Sequence, residues 1–137
     1  PGEGNIVTQL GHVSDLADAM VLSLGSLKAK DKIYNCSGKK GVTFKGLISM
    51  AAIACGRDPL DVRLAPFDLS KVDPKGRKAF PLRLEHFYTD ISNLQNDLNW
   101  EPKFDLQKGL EDSFINDYLV DPTLNPDFSS DLDLIGS

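Results

Sequence analysis

Short apolar runs alternate along this chain with stretches in which apolar residues return every three or four positions. The two patterns predict different elements. Residues 6–10 form a compact apolar run that fits a strand. Val13, Leu16, Ala17, Met20, Val21 and Leu24 then follow helical spacing, with Ser14 as a natural N-cap and Gly25 as a stop. Asp15 and Asp18 favour the positive end of the dipole, so a helix is predicted over 14–24. Residues 32–37 read as a strand closed by Gly38 and a Lys39-Lys40-Gly41 turn, whose lysines are ordinary solvated surface. Thr43 caps a second helix with Phe44, Leu47, Ile48, Ala51, Ala52 and Cys55 on one stripe, ended by Gly56. Residues 62–65 alternate as a strand before Pro66, and 67–81 follow as a polar loop.

Thr89 or Asp90 caps a third helix with Ile91, Leu94 and Leu98 inward, and Asn99 falls where a left-handed residue is wanted. Trp100 packs back, beside Leu94, Leu98 and a residue of the next helix, and Pro102 prevents continuation. Asp105 caps a fourth helix over 106–119 with Leu106, Leu110, Phe114 and Tyr118 on one stripe. The predicted class is α/β, with about three short strands and four helices, too few strands for a complete dinucleotide-binding sheet. Such a chain is expected to expose an apolar face on helix 14–24 or strand 32–37, or to hold a partner chain there. Residues 1–120 are read as one domain. Residues 121–137 form an acidic tail, broken by Pro122 and Pro126 and expected to extend along the surface or be mobile.

Composition narrows the class. Hydrophobic residues at 41% and charged residues at 26% are ordinary globular values, which excludes disordered and low-complexity architectures. No run approaches the roughly 18 apolar residues of a bilayer span, so no membrane partner is expected. The opening Pro1-Gly2-Glu3-Gly4, with no basic-then-apolar leader, reads as the middle of a protein. A net charge of −5 argues against a uniformly basic nucleic-acid surface. The charge is uneven, however. The tail holds Asp121, Asp127, Asp131 and Asp133 and no base, so without it the chain carries −1. Lys71, Lys75, Arg77, Lys78 and Arg83 against Asp73 alone make residues 71–83 locally +4. A basic patch therefore survives an acidic total.

Cys36 and Cys55 form no C-x-x-C motif and sit in apolar contexts, which predicts two reduced, buried thiols. Gly2-Glu3-Gly4 invites a dinucleotide-loop reading, but Val7 takes the third glycine position and a plain turn fits better. Four residues after Tyr34, Tyr88 and Tyr118 stand Gly38, Ser92 and Pro122, so a Tyr-x-x-x-Lys pair is missing. No cofactor-binding, catalytic or metal-ligating residue is assigned. His12 precedes a helix and is expected to bond backbone or fix the entry turn. His86 follows the basic loop, and its alternatives are a solvated structural role or ligand contact. In the second case Arg77, Lys78, Arg83 and His86 meet phosphates, while Phe87 or Tyr88 stacks on a base.

Several segments in order resemble a known family. His12-Val13-Ser14-Asp15-Leu16-Ala17, Ile33-Tyr34-Asn35-Cys36-Ser37-Gly38, Val42-Thr43-Phe44, Asp90-Ile91-Ser92 and Leu98-Asn99-Trp100-Glu101-Pro102 look like the C-terminal half of extended short-chain dehydrogenases/reductases. These are the NAD-dependent nucleotide-sugar epimerases and dehydratases. The resemblance implies the substrate-side portion of a Rossmann-type fold, with NAD(P) held by the full-length protein and none in this segment. It also implies a missing N-terminal half or second chain as partner, and a homo-oligomer. Thr8-Gln9-Leu10-Gly11-His12-Val13, Lys78-Ala79-Phe80-Pro81-Leu82-Arg83, His86-Phe87 and a tail with Asp127-Phe128 and Asp131 resemble one branch more closely. That branch comprises the chloroplast stem-loop-binding proteins and their cyanobacterial mRNA-binding relatives. It implies RNA binding, in some members RNA cleavage, association with ribosomes, and a plastid stroma or cyanobacterial cytoplasm. The rival implied by the wider family is a nucleotide-sugar epimerase or dehydratase. Those enzymes place an arginine four residues before the histidine, where this chain has Thr8, which cannot make the bidentate charged contact.

Overall fold

A computed structural model gives the fold of residues 2–68, 70 and 84–121. The order is β1 (Val7–Thr8), α1 (Val13–Ser23), β2 (Val42–Thr43), α2 (Phe44–Ala54) and a 3-10 turn at Pro59–Asp61. Then come α3 (Ser92–Leu98), α4 (Leu106–Ser113) and a widened π turn at Phe114–Tyr118. Each helix start follows its local chemistry. Thr43 Oγ1 accepts from Gly46 N at 3.1 Å, and Asp105 Oδ1 accepts from Lys108 N at 2.9 Å. In α3 the N-cap is Ile91, without a side-chain cap, rather than Thr89 or Asp90; Asp90 Oδ1 instead takes the Ser92 N–H at 2.9 Å in the turn just before the helix. In α1 the cap is His12 rather than Ser14: His12 Nδ1 accepts from Ser14 N at 3.3 Å, so the helix starts one residue early. Gly56 at φ +71° ends α2, and Asn99 at φ +52° ends α3 in the left-handed conformation its side chain tolerates.

β1 and β2 pair antiparallel, with Val7 opposite Thr43 and Thr8 opposite Val42. Two expected strands form no ladder among the described residues. Residues 62–65 lie beside only an isolated bridge between Gly2 and Phe67. Residues 32–37 belong to no regular element, with Tyr34 and Cys36 turned inward and Ile33 and Asn35 outward. Alternation reports which side of a chain is covered; a strand also needs a neighbour for its main chain. The segment is instead anchored by side chains, as Lys32 Nζ and Tyr34 OH both reach Asp97 Oδ2, at 2.7 and 2.8 Å.

The core gathers where α1, α3 and the turn after α3 meet. Ala19, Ile91, Leu94 and Trp100 are buried, with Tyr34, Cys36 and Leu98 packed on them. Trp100 is 2% exposed and donates its indole N–H to Asp15 O at 3.1 Å. No α4 residue joins this cluster; α4 packs on α2. The fourth helix continues beyond Ser113 as the π turn to Tyr118, close to the predicted length, but Tyr118, expected on its buried stripe, is exposed. The largest departure lies in α1. Its buried residues are Asp15 and Ala19, while Val13, Leu16, Ala17, Met20, Val21 and Leu24, the stripe that helical periodicity marks as inward, face solvent.

Candidate nucleic-acid interface

β1 holds two of the six residues singled out from the sequence, His86 and Phe87. The Val7 N–H donates to His86 Nδ1 at 3.0 Å, and the Phe87 N–H donates to Val7 O at 2.9 Å. One strand residue thus fixes both the ring and the main chain of the His86-Phe87-Tyr88 segment. Because Nδ1 accepts, the neutral imidazole carries its proton on Nε2, which makes that nitrogen a donor. His86 is exposed, Phe87 is half-exposed and Tyr88 is 72% exposed. Arg77, Lys78 and Arg83 lie outside the described residues, as does the tail beyond Asp121.

A second layer of bonds stiffens the segment from behind, through residues whose part the sequence pattern does not reveal. Gln9 Oε1 accepts from Thr89 N at 2.6 Å, and Gln9 Nε2 donates to Gly38 O at 2.5 Å. Ser37 Oγ and Thr89 Oγ1 lie 3.0 Å apart, and Gly38 N donates to Leu10 O at 2.9 Å. The side-chain amide of Gln9 therefore spans residues 38 and 89 at once. The signal in the sequence is a glutamine inside an apolar run, where a polar group must find partners.

His12 lies apart from this face and has a structural task. Its ring stacks on Phe104 with centroids 3.8 Å apart, and Nε2 meets Asp112 Oδ2 at 3.2 Å. With Nδ1 taken by the Ser14 N–H, both nitrogens are occupied, as expected of an entry-turn residue. Among the described residues no cluster of His, Cys, Asp or Glu is arranged to hold a metal ion. None of their helices is long and apolar enough to cross a membrane. Both cysteines are free thiols, but only Cys36 is partly covered; Cys55, expected to be buried, is exposed at the C-cap of α2, where the helix ends before Gly56. Burial, then the nearby Asp15 carboxylate, push the Cys36 thiol above its ordinary pKa.

No family model matches the chain. It is 43% identical over 121 residues to the chloroplast stem-loop binding protein of 41 kDa b of Arabidopsis thaliana, covering 86% of this chain and 31% of that protein. Its fold is similar to that of UDP-glucuronic acid 4-epimerase from Bacillus cereus in complex with NAD. That match has a TM-score of 0.56 at 22% identity, over 80% of this chain and 30% of the enzyme. UDP-glucose 4-epimerase from Bifidobacterium longum, in complex with NAD+ and UDP, gives 0.56 at 21% identity, over 82% and 30%. The chain thus spans about a third of the length of the proteins it matches. Its architecture is a partial piece of the Rossmann-type fold of extended short-chain dehydrogenases/reductases, the NAD-dependent epimerases and dehydratases. Within that class its sequence is similar to the chloroplast stem-loop-binding branch.

The fold class implies NAD, and Gly2-Glu3-Gly4 is the segment whose sequence invites a dinucleotide-loop reading. Gly2 N donates to Phe67 O at 2.9 Å, Gly4 O accepts from Lys45 N at 3.0 Å, and the chain then enters β1. A dinucleotide loop requires a strand before it and a helix N-terminus after it. These residues do not fit the pyrophosphate. Thr8 is buried in the β1–β2 pair.

Proposed function

We propose that this chain is the C-terminal, substrate-side portion of an epimerase-like protein that binds structured RNA. Arg77, Lys78, Arg83 and His86 contact phosphates, and Phe87 or Tyr88 stacks on a base. The observation that carries this reading is the fixed, exposed His86-Phe87-Tyr88 segment, held by both polar main-chain groups of Val7. An aromatic platform favours nucleic acid only if it is presented without the ordering cost of a flexible loop, and β1 removes much of that cost. The stem-loop-binding name of a relative 43% identical supports the same ligand class. The site of action on this reading is the plastid stroma or the cytoplasm of a cyanobacterium, with NAD(P), where bound, held by the remainder of the fold. Ribosome association and a homo-oligomer belong to the same proposal.

The fold likeness to UDP-sugar enzymes favours a second reading, in which the chain shapes a nucleotide-sugar pocket. Buried Thr8 weighs against it, since no cation stands at that position to hold a diphosphate. Equilibrium binding of a stem-loop RNA and of UDP-glucose to the complete gene product separates the two. RNA should bind, and Tyr88→Ala should weaken it by about 1–3 kcal/mol, the usual worth of one base–aromatic stack. Saturable UDP-glucose binding, with RNA affinity untouched by Tyr88→Ala, would reverse the preference.

A further inference from the structure

We infer that His86 is the positioning residue of the nucleic-acid interface and works only as the neutral imidazole, so that acid loosens the site. The inference rests on the RNA-binding reading above. Along an antiparallel ladder a strand N–H ordinarily meets a main-chain carbonyl, an acceptor that does not titrate. The Val7 N–H instead meets a ring nitrogen, His86 Nδ1, at 3.0 Å. Two bonds of different kinds thus join β1 to the aromatic segment. The bond from the Phe87 N–H to Val7 O, 2.9 Å long, is indifferent to pH near neutrality, and the His86 bond is not.

An imidazolium carries a hydrogen on both nitrogens and has no acceptor left. A protonated His86 would turn an N–H toward the Val7 N–H, so protonation and this bond exclude each other. His86 is exposed, which opens its ring to solvent protons. No built-in charge offsets the change. β1 and β2 carry no titratable side chain, and no ion pair joins His86 to a carboxylate of the described residues. Glu3 and Lys45, just beyond the ladder, stand 4.0 Å from each other. Along the chain the nearest titratable groups are Glu85, Tyr88 and Arg83.

The sign of the effect sets this site apart. A histidine that meets phosphate as a cation binds RNA more tightly as pH falls. Here falling pH removes one of the two bonds that hold the Phe87-Tyr88 platform on β1, and ordering the platform then opposes binding. Above the histidine range the Nε2–H still donates to a phosphate oxygen without neutralising its charge. His86 therefore adds a hydrogen bond to RNA and nothing to the salt dependence.

Titrations of a stem-loop RNA with the complete gene product, at fixed ionic strength from about pH 8 to about pH 5.5, span the ordinary histidine range. Affinity should fall about two- to tenfold across it, the worth of one net hydrogen bond. His86→Asn sets an amide oxygen where Nδ1 stands and does not titrate, so its profile should lack that fall. In the RNA-free protein the Val7 amide resonance should move over the same pH range, and should stay still in His86→Asn. Binding that tightens in acid, with the gain lost in His86→Asn, would overturn the proposal by making His86 a cationic contact. So would a Val7 amide indifferent to pH. A Val7 amide that titrates in a protein binding RNA at no pH would support the coupling and overturn the RNA-binding reading instead.

Discussion

A buried carboxylate persists only where its oxygens find donors, and Asp15, 2% exposed, finds two in the main chain. Oδ1 accepts from Lys103 N at 2.9 Å and Oδ2 from Phe104 N at 3.2 Å. Its own carbonyl takes the Trp100 indole N–H, so one residue of α1 holds three residues of the turn before α4. Asp15→Ala leaves those two amides without acceptors and should cost about 2–6 kcal/mol, at roughly 1–3 kcal/mol per orphaned group. Asp15→Asn keeps one carbonyl acceptor and should cost less; chemical denaturation of both variants checks the order. The cysteines give a pH-dependent readout. Folding raises the Cys36 pKa, so its contribution to stability is complete below the unfolded thiol's value and is lost as pH rises through the folded one. Near neutral pH iodoacetamide should therefore modify exposed Cys55 about tenfold or more faster than Cys36. The gap should narrow as alkali brings Cys36 to the thiolate. Equal rates near neutrality would contradict the burial.

At the scale of elements, Trp100 joins α1 to α3. It lies against Ala19, Ile91 and Leu94, and its polar edge is satisfied by Asp15. Trp100→Ala should destabilise the fold by about 3–5 kcal/mol, the usual cost of deleting a large buried aromatic. Near-unchanged thermal stability would show the residue to be peripheral. The Leu98-Asn99-Trp100-Glu101-Pro102 sequence explains why the tryptophan arrives there. Asn99 in the left-handed region reverses the chain after α3, and Pro102 prevents the helix from continuing. Helix ends are legible in the sequence because they depend on a few adjacent residues, as Thr43 and Asp105 show. The orientation of α1 is not legible. Its stripe reveals that one face must be covered, and says nothing about what covers it.

For the whole molecule the governing quantity is the distribution of charge. The chain carries −5, yet residues 71–83 are locally +4, so attraction for a polyanion must come from a minority of the surface. Replacing Arg77, Lys78 and Arg83 with alanine should flatten the dependence of log affinity on log salt by about one unit for each phosphate no longer neutralised. RNA titrations across salt concentrations with the complete protein read both slope and affinity. An unchanged slope would assign phosphate binding to another part of the protein.

Four helices, the side chains of Thr43 and Asp105 that cap two of them, the left-handed turn at Asn99 and the resemblance to epimerase-like proteins all follow from the amino-acid sequence alone. These depend on neighbours in the chain, or on residue order, and need no knowledge of what lies across space. That 32–37 and 62–65 make no ladder, and that Val42–Thr43 does, emerged with the folded chain. Folding likewise set Gln9 between Gly38 and Thr89, fixed His86 on Val7, and turned the α1 stripe outward. Each of those outcomes pairs groups far apart in the chain, or leaves them for a partner, and pairing is fixed by which group satisfies a main-chain or buried polar atom. Periodicity records that a residue wants cover or a donor; the fold chooses which one it receives.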